Sequence, residues 1–527
     1  MLLRMALDLG AEECGGPLTG AERAFLNVAR DLPLTETAAL TEARLGITLG
    51  IDPLGEELLR WRSRADRRPD GAFYTPPAIV EPMVEWALAQ APERVVDAGC
   101  GSGRFAAEIA RRQPALAIVA IDRDPLATLL TRAALAVLGA EQAVVLHADY
   151  LGLDLPAIAG RTAWIGNPPY VRHHDLEPEV KRWAATAGAS LGRPVSSLSG
   201  LHAYFFLATA LLARPGDVGT FVTSAEWLDV GYGALIRQLL MDGLGLESLH
   251  VLEPTAVPFA DVMTTAAIAC FRAGARPERV RLETVADLEA LDGLDGGRAL
   301  PREQLELNHR WTGLLRPQVA TVSGPTLGTI GRVSRGVVTG ANDYFLLTRE
   351  RAAELRILEW CRPAITSAEE VLDAAGIVRD GPDRRVLFAP PRGVDRKAHP
   401  ALDRYLRQGE RRRGGAAAYK DRYITSHRTP WWHHGPLRTP PIVVSYMARR
   451  APMFALNPDD LTLVNIAHGL YPHSELSDEE LGTLVLHLNG LRESFRGHGR
   501  TYHGGLEKFE PGEMEALIVP DAERWIL

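Results

Sequence analysis

Between residues 94 and 170, short apolar runs alternate with segments whose apolar residues recur at helical spacing. Val95 and Val96 form one short run, and Phe105 and Ile109 then lie on one face of a predicted helix over 105–112. The predicted strands are residues 94–97, 117–121, 143–147 and 163–165. Strands separated by helices are typical of βαβ units, so the pattern predicts an open α/β sheet of parallel strands.

Each of these four predicted strands ends in a polar residue. Asp97, Asp122, Asp149 and Asn167 follow the strands in chain order. One aspartate at a strand end is usually a helix cap, but four in succession are hard to ascribe to capping. Ligands of open α/β sheets bind at the carboxyl ends of the strands, and an acid at the tip of the second strand commonly binds ribose hydroxyls. We therefore predict a nucleoside-binding cleft in which Asp122 contacts a ribose.

A glycine-rich turn joins the first predicted strand to the first predicted helix. Its spacing, Gly99-x-Gly101-x-Gly103, is shorter than the Gly-x-Gly-x-x-Gly dinucleotide fingerprint. Asp97 precedes the turn, and its carboxylate would repel a phosphate. The turn therefore favours a cationic or zwitterionic ligand over a pyrophosphate.

The fourth predicted strand leads into Asn167-Pro168-Pro169-Tyr170. Proline fixes φ and removes a backbone donor, so the Asn167 side-chain oxygen and the Pro168 carbonyl can both accept from one incoming NH₂ group. The Tyr170 ring offers a face for stacking. An isolated Pro-Pro is often only a turn at a strand end, but beside a nucleoside-binding cleft it predicts a holder for a planar, amine-bearing substrate such as adenine.

The order of these motifs resembles that of the gamma-class adenine DNA methyltransferases of bacterial restriction–modification systems, the TaqI- and PstI-like methylases. The resemblance covers about residues 70–275. The segments that carry it are 71–77, 97–105, Asp122, Asp149, 167–170, 211–216, 219–228 and 257–262. Asp97-Ala98 and Cys100 depart from the commonest family pattern without removing a backbone donor.

The resemblance implies methyl transfer from S-adenosylmethionine (AdoMet) to N6 of an adenine flipped out of duplex DNA. It also implies an α/β, Rossmann-like AdoMet-dependent methyltransferase sheet. By this resemblance, Asn167, Pro168, Pro169 and Tyr170 are catalytic, and Tyr170 and Phe259 stack on the target base. The implied cofactor-binding residues are Tyr74, Thr75, Asp97, Gly99, Gly101, Gly103, Phe105, Asp122, Asp149 and Asn167.

Composition favours a cytoplasmic enzyme, nucleoid-associated when it binds DNA. The 527 residues contain no secretory signal pattern and no run of about 18 apolar residues that could span a membrane. The four cysteines are far apart, and none is in a Cys-x-x-Cys motif. We therefore predict neither a metal site nor a disulfide framework.

The net charge of −8 is unevenly distributed. Residues 391–450 carry a local charge of +10, because they hold 14 Lys or Arg against 4 Asp or Glu. Basic residues interleaved with aromatics and glycines favour a phosphate-tracking surface, although a solvated arginine-rich face would have the same composition. The predicted DNA-binding residues are Arg411, Arg412, Arg413, Lys420, Arg422 and Arg428.

Four regions are predicted along the chain. They are a helical N-terminal extension (1–70), a catalytic domain (71–275), a connector (276–324) and a mixed α+β domain for DNA target recognition (325–527). In the last region we predict strands over 333–339, 344–347, 442–446 and 463–467 and a helix over 478–491. A separately encoded restriction endonuclease would be the expected companion.

Two other functions fit parts of this pattern. A release-factor glutamine methyltransferase also uses an Asn-Pro-Pro-Tyr holder, because a glutamine amide is likewise a planar NH₂ donor. That class does not account for the roughly 250 residues beyond the AdoMet domain or for the basic segment. A non-catalytic DNA-binding specificity subunit is the second alternative, although decay should erase polar site residues first and none is missing here.

Overall fold

The computed structural model describes residues 1–62, 75–253, 265–288, 291–315, 324–412, 417–448, 450–496, 498–502 and 506–526. The chain divides into two compact units, Met1–Gln318 and Val319–Leu527. Within these ranges no helix is both long and apolar enough to cross a bilayer.

The described strands of the first unit form one nine-stranded sheet in the order β3-β2-β1-β4-β5-β7-β6-β8-β9. Their bounds are β1 Arg94–Ala98, β2 Ala117–Asp122, β3 Ala143–His147, β4 Thr162–Gly166, β5 Val218–Ser224, β6 Leu246–Leu252, β7 Ala266–Arg272, β8 Arg279–Val285 and β9 Arg298–Pro301. Strands β1 to β5 pair in parallel, whereas β7 is antiparallel to both of its neighbours. The four strands predicted from the apolar pattern are β1 to β4.

The helices of the first unit lie along both faces of this sheet and in the N-terminal extension. Their bounds are α1 Leu2–Asp8, α2 Gly20–Arg30, α3 Thr37–Thr48, α4 Pro53–Trp61, α5 Pro77–Ala89, α6 Arg104–Arg112, α7 Pro125–Val137, α8 Pro178–Ser190, α9 Leu201–Leu212, α10 Ala234–Met241, α11 Arg302–Leu307 and α12 Thr312–Leu315. Successive β1 residues enter opposite cores, Val95 with Ile118 on one face and Val96 with Trp164 on the other. Burial on both faces explains the near-continuous apolar character of these parallel strands.

The N-terminal extension packs against α7. Leu54 and Leu58 of α4 are buried in one cluster with Leu129 and Leu130 of α7. Helix α4 begins where the sequence signals it, since Asp52 accepts a hydrogen bond from the Gly55 N–H and Pro53 occupies the first turn. The segment expected as a connector supplies β8 and β9, which extend the sheet. The domain boundaries proposed from the sequence stay predictions.

The described strands of the second unit form two four-stranded sheets and one three-stranded sheet, ordered β10-β18-β14-β16, β11-β13-β12-β17 and β15-β20-β19. The strands are β10 Gly331–Arg335, β11 Leu346–Leu347, β12 Cys361–Ile365, β13 Val386–Phe388, β14 Ile442–Ser445, β15 Met447–Ala448, β16 Phe454–Leu456, β17 Thr462–Leu463, β18 Ala467–Pro472, β19 Arg500–Tyr502 and β20 Leu506–Lys508. The helices are α13 Leu327–Ile330, α14 Asn342–Phe345, α15 Arg349–Glu354, α16 Glu369–Leu372, α17 Pro400–Gly409, α18 Tyr423–Ser426, α19 Asp478–Phe495 and α20 Pro511–Glu515. The unit is therefore mixed α+β, as predicted.

The predicted strand 333–339 is too long, since β10 ends at Arg335, and the predicted strand 463–467 is interrupted by a turn, since β17 ends at Leu463 and β18 begins at Ala467. A third predicted strand, 344–347, is wrong in its first half. Tyr344 and Phe345 close the short helix α14, and only Leu346 and Leu347 pair as a strand. The Tyr344 ring stacks on Tyr405 with centroids 4.7 Å apart, so aromatic packing overrides the local strand pattern.

Candidate active site

A cavity of about 550 Å³ opens at the carboxyl ends of β1 to β4. Gly99, Gly101, Asp122, Asp149 and Asn167 all contribute to its wall. The strand order reverses between β1 and β4, and such a switch point is where open α/β sheets bind ligands. The volume lies in the range of small-molecule and cofactor sites.

The glycine turn has backbone conformations that favour glycine. Gly99, Gly101 and Gly103 have φ of +76°, +57° and +88°. A Cβ on Gly103 would lie 2.9 Å from the Thr131 hydroxyl oxygen, so this glycine permits close packing of the start of α6 on α7. Of the three, Gly99 and Gly101 line the cavity.

The backbone of the turn holds the Asp122 carboxylate in place. Asp122 Oδ2 accepts from the Gly101 N–H at 2.8 Å, and its Oδ1 accepts from the Asp124 N–H at 2.9 Å. Burial raises the pKa of Asp122 above its usual value. Asp149 is exposed on the cavity wall, and its Oδ1 accepts from the Leu151 N–H at 2.9 Å.

Asp97 lies beneath the turn, and the described residues of the cavity wall do not include it. Its side chain is fully buried, and Oδ2 accepts from the Ala106 N–H at 3.1 Å in the first turn of α6. No described residue hydrogen-bonds its Oδ1. Burial raises the pKa of Asp97 to about 7, and the charge of Asp122 acts in the same direction. A ligand contact for Asp97 stays a prediction, whereas Phe105, at the start of α6, does line the cavity.

The Asn-Pro-Pro-Tyr turn brings Asn167 and Pro169 to the cavity wall. Asn167 Nδ2 donates to the Thr75 hydroxyl at 3.1 Å, and Thr75 also lines the cavity. Pro168 is buried, and the Tyr170 ring meets His202 edge-on with centroids 6.5 Å apart. Neither Pro168 nor Tyr170 is among the described wall residues.

Sequence reasoning missed several residues beside the Asn-Pro-Pro-Tyr turn and beside the glycine turn. Burial lowers the pKa of His202 to about 4, so this imidazole beside Tyr170 is neutral near neutral pH. Asp52, Ser102 and Arg104 form hydrogen bonds next to the glycine turn. The one available signal was Asp52-Pro53, which is typical of a helix start and gives no hint of a site.

The charges of the cavity fit AdoMet. Among the described residues, its wall carries three arginines and five carboxylates: Asp122, Asp124, Asp149, Asp175 and Glu177. AdoMet has a sulfonium, an ammonium and one carboxylate, and so carries a net positive charge. The acid-rich wall favours such a ligand, and the Asp122 carboxylate suits its ribose hydroxyls.

Three predicted site residues lie outside the described residues: Tyr74, Phe259 and Arg413. Of the other predicted DNA-binding residues, Arg411, Arg412 and Lys420 are exposed.

Arg422 and Arg428 make contacts within the second unit. Arg422 pairs with both Asp343 carboxylate oxygens, at 2.8 and 3.1 Å, and lies 4.6 Å over the Tyr419 ring. Arg428 donates to the Val338 carbonyl and contacts His434, and burial lowers its pKa. These contacts give both side chains a structural role.

Comparison with known families matches the chain in two parts. The N-6 DNA methylase family matches residues 53–271, and the C-terminal domain of the type II methyltransferase M.Eco57I matches residues 305–526. The chain is 43% identical over 484 residues to the type II methyltransferase M.XamI of Xanthomonas campestris pv. amaranthicola, which covers 90% of this chain and 87% of that protein. It is 24% identical over 479 residues to M.AccI of Acinetobacter calcoaceticus, with 86% of each chain covered.

Among solved structures, the type IIL restriction-modification enzyme MmeI in complex with DNA aligns over 90% of this chain and 74% of its own. The TM-score is 0.54 at 14% identity, so this likeness concerns the fold. The fold and the cavity define an AdoMet-dependent methyltransferase. Within that class, the chain belongs to the type II DNA methyltransferases that carry an N-6 DNA methylase domain.

The glutamine methyltransferase alternative is not favoured. A release factor glutamine methyltransferase of Cereibacter sphaeroides is 30% identical over 211 residues, which is 37% of this chain. The match to the Escherichia coli enzyme is 32% over 113 residues, or 20% of this chain. Partial matches of this kind reflect a shared cofactor domain.

Proposed function

We propose that this enzyme methylates N6 of a specific adenine, flipped out of duplex DNA, as the modification part of a restriction–modification system. One observation carries the proposal. The turn after β4 places Asn167 on the wall of the same cavity as Asp122 and Asp149. The cavity therefore contains two carboxylates that suit a nucleoside, and beside them the Asn167 amide, whose oxygen can accept hydrogen bonds from an amine.

AdoMet supplies an electrophilic methyl group. In the proposed mechanism, the Asn167 side-chain oxygen and the Pro168 carbonyl accept hydrogen bonds from the adenine amino group. These bonds orient the nitrogen lone pair towards the methyl, and positioning supplies much of the rate. A strong base is not required, because the amine becomes more acidic once it is methylated. Asp122 would bind the cofactor ribose, and Asp149 would accept from its adenine amino group.

Extrusion of the target base costs a few kcal/mol. Stacking on Tyr170 would offset part of this, since base–aromatic stacking contributes about 1–3 kcal/mol per base. The neutral His202 ring meets Tyr170 edge-on and would limit its movement. Phe259 is proposed for the other face of the base. The second unit is proposed to recognise the DNA sequence.

The experiment compares Asn167→Ala with wild type in transfer of tritiated methyl from AdoMet to DNA. We expect the rate to fall at least about 100-fold while AdoMet affinity stays within a few-fold, because the lost contact acts mainly in the transition state. Transfer near the wild-type rate would refute the assigned mechanism. Asn308→Ala, at an exposed position on α11's C-terminal side, is the control and should leave the rate unchanged.

The identity of the product tests the proposed target. Mass spectrometry of nucleosides from methylated DNA should detect N6-methyladenine. Detection of N4-methylcytosine instead would refute the adenine assignment but not membership of the methyltransferase family.

A further inference from the structure

A line of hydrogen bonds runs from the N-terminal extension to the proposed catalytic asparagine. Asp52 Oδ2 accepts from the Ser102 hydroxyl at 2.5 Å and from Arg104 Nε at 2.7 Å. Arg104 Nη1 donates to the Thr75 carbonyl at 2.8 Å. The Thr75 hydroxyl in turn accepts from Asn167 Nδ2 at 3.1 Å. We call the connection from Asp52 through Arg104 and Thr75 to Asn167 the Asp52 relay, and Ser102 belongs to it as a second partner of Asp52.

The relay is shielded from solvent. The Asp52 and Arg104 side chains are 16% and 17% exposed, and Ser102 and Thr75 are buried. Hydrogen bonds between charged groups are stronger than neutral ones, and partial burial weakens the competition from water. The connection between Asp52 and Arg104 therefore restricts where the guanidinium can lie.

The first member of the relay is anchored independently of the cavity. Asp52 Oδ1 accepts from the Gly55 N–H at 2.7 Å, so the carboxylate also caps α4. Helix α4 is fixed in turn by Leu54 and Leu58, which are 1% exposed within the cluster shared with α7. The carboxylate thus holds the glycine turn at Ser102 and Arg104 from a fixed position.

The last step of the relay concerns which end of the Asn167 amide is an acceptor. An amide has an oxygen that accepts and a nitrogen that donates. Because Nδ2 donates a hydrogen bond to the Thr75 hydroxyl, the amide is oriented with Oδ1 as its accepting end. An inverted amide would direct N–H groups at the target NH₂, where they would repel its hydrogens.

We propose that Asp52 is a positioning residue for methyl transfer, acting through Arg104 and Thr75 on Asn167. The inference rests on the proposed function. Ser102, Arg104 and Thr75 also line the cavity, so the same relay shapes the cofactor site. The N-terminal extension is in this view part of the catalytic apparatus.

The test measures kcat and the KM for AdoMet in full-length variants. Asp52→Ala should lower kcat at least tenfold and raise the KM for AdoMet several-fold. Asp52→Asn keeps the shape and one acceptor, so its loss should be smaller, and it serves as the second variant if the alanine protein folds poorly. Thr75→Val, which lacks the hydroxyl, should lower kcat, whereas Thr75→Ser should retain most of it.

Asp8→Ala is the matched control. Asp8 accepts from Arg4 at 2.7 Å in the same extension, with side chains 14% and 13% exposed, but neither residue lines the cavity. This variant should lower the thermal unfolding midpoint as much as Asp52→Ala does while keeping kcat within about twofold. Equal loss of kcat in the two aspartate variants would overturn the relay, because it would indicate general destabilisation of the extension.

A double variant, Asp52→Ala with Thr75→Val, tests the connection itself. Residues that act through one chain of contacts give non-additive effects, so kcat should be no lower than in the worse single variant. Multiplication of the two losses, or wild-type kcat in Asp52→Ala, would overturn the proposal. Failure of the proposed function would show separately, since wild-type enzyme would then form no N6-methyladenine in DNA. AdoMet affinity, measured by calorimetry in Asp52→Ala, would still report on the relay.

Discussion

Arg132 and Glu22 form a fully buried ion pair between the catalytic sheet region and the N-terminal extension. Both side chains have 0% exposure, and Arg132 Nε donates to Glu22 Oε1 at 2.9 Å. The rest of the guanidinium donates to four backbone carbonyls, at 2.8 to 3.2 Å: Cys14, Gly16, Pro17 and Val145. Replacing Arg132 by Met would remove all five hydrogen bonds and leave the carboxylate buried.

The expected loss in the free energy of unfolding follows from this geometry. Removing one partner of a buried ion pair destabilises a protein by about 3–5 kcal/mol, because the remaining charge is uncompensated. Four carbonyls also lose their donor, which adds to this loss, whereas Met fills part of the volume and limits it. We therefore expect Arg132→Met to lower the free energy of unfolding by an amount in the upper half of that range. Arg132→Lys keeps the charge but has three donors for five acceptors. The two lost bonds predict a smaller loss of about 1–3 kcal/mol.

The effect should depend on pH. Burial acts to raise the pKa of Glu22, but the Thr19 N–H and the charge of Arg132 outweigh it and leave the pKa below its usual value. A lowered folded pKa contributes stability above the unfolded pKa, and this is lost as pH falls through the folded value. Without Arg132 the pKa of Glu22 should rise, because only the hydrogen bonds from Thr19 and Thr128 then oppose the effect of burial. The difference between variant and wild type should therefore be largest at pH 7 and should shrink towards pH 4.

The assay is urea unfolding at pH 7 and at pH 4.5, monitored by hydrogen-exchange mass spectrometry. Peptides of residues 1–62 and 125–145 then report on the region around the ion pair separately from the second unit. A loss below about 1 kcal/mol at pH 7, or an equal loss at both pH values, would refute the reasoning. The double variant Glu22→Gln with Arg132→Met removes the isolated charge and should recover part of the stability. No recovery would mean that the lost carbonyl bonds, rather than the charge, dominate.

Three further predictions concern single features of the two units. Asp122→Ala should weaken AdoMet binding by about 1.5–3 kcal/mol, the contribution of a hydrogen bond to a charged acceptor, and unchanged affinity in calorimetry would contradict the ribose assignment. Because the pKa of Asp97 is raised in the folded protein, its protonated side chain contributes stability below about pH 4, and this contribution is lost as pH rises through about 7. In urea titrations, the free energy of unfolding of Asp97→Asn relative to wild type should therefore increase by at most about 4 kcal/mol between pH 4 and pH 8. Replacing the exposed Arg411 and Arg412 by Gln should make the log–log salt dependence of DNA binding shallower by up to about 2, at about 0.9 per phosphate contact, with AdoMet affinity unchanged. An unchanged slope would identify these arginines as a solvated surface.

The part of the fold that local pattern determines was predictable. Strands β1 to β4 are buried on both faces, so their apolar runs are visible in the sequence. The rule that ligands bind at the carboxyl ends of strands predicted one cleft for Asp122, Asp149 and Asn167, and all three side chains line one cavity, while their roles stay predictions. Tyr344 shows the limit of local pattern, because its partner Tyr405 is 61 residues away in the chain.

The same limit applies to charged residues. A basic window identifies where arginines are concentrated but not which of them are paired. Arg422 pairs with Asp343, 79 residues earlier, and Arg428 contacts the backbone at Val338, 90 residues earlier. Arg411 and Arg412 are exposed in the same window. Exposure and pairing depend on tertiary contacts, so the five described residues of this predicted surface divide into groups with different environments.

Asp97 and Asp52 show that membership of a recognised motif does not determine which aspartate of this enzyme contacts the residues of the cavity wall. Asp97 is part of the most recognisable motif, yet it is buried beneath the turn and caps α6 through Ala106. Asp52 lies outside every recognised motif, 50 residues before Ser102, yet its carboxylate holds two residues of the cavity wall. A motif identifies ligand-contacting residues that lie close to one another in the sequence, because the strand, turn and helix that form the site are consecutive. The groups that hold this turn from outside can come from any part of the chain, since only their final position matters. Substitutions limited to motif residues would therefore leave the contribution of the N-terminal extension unmeasured.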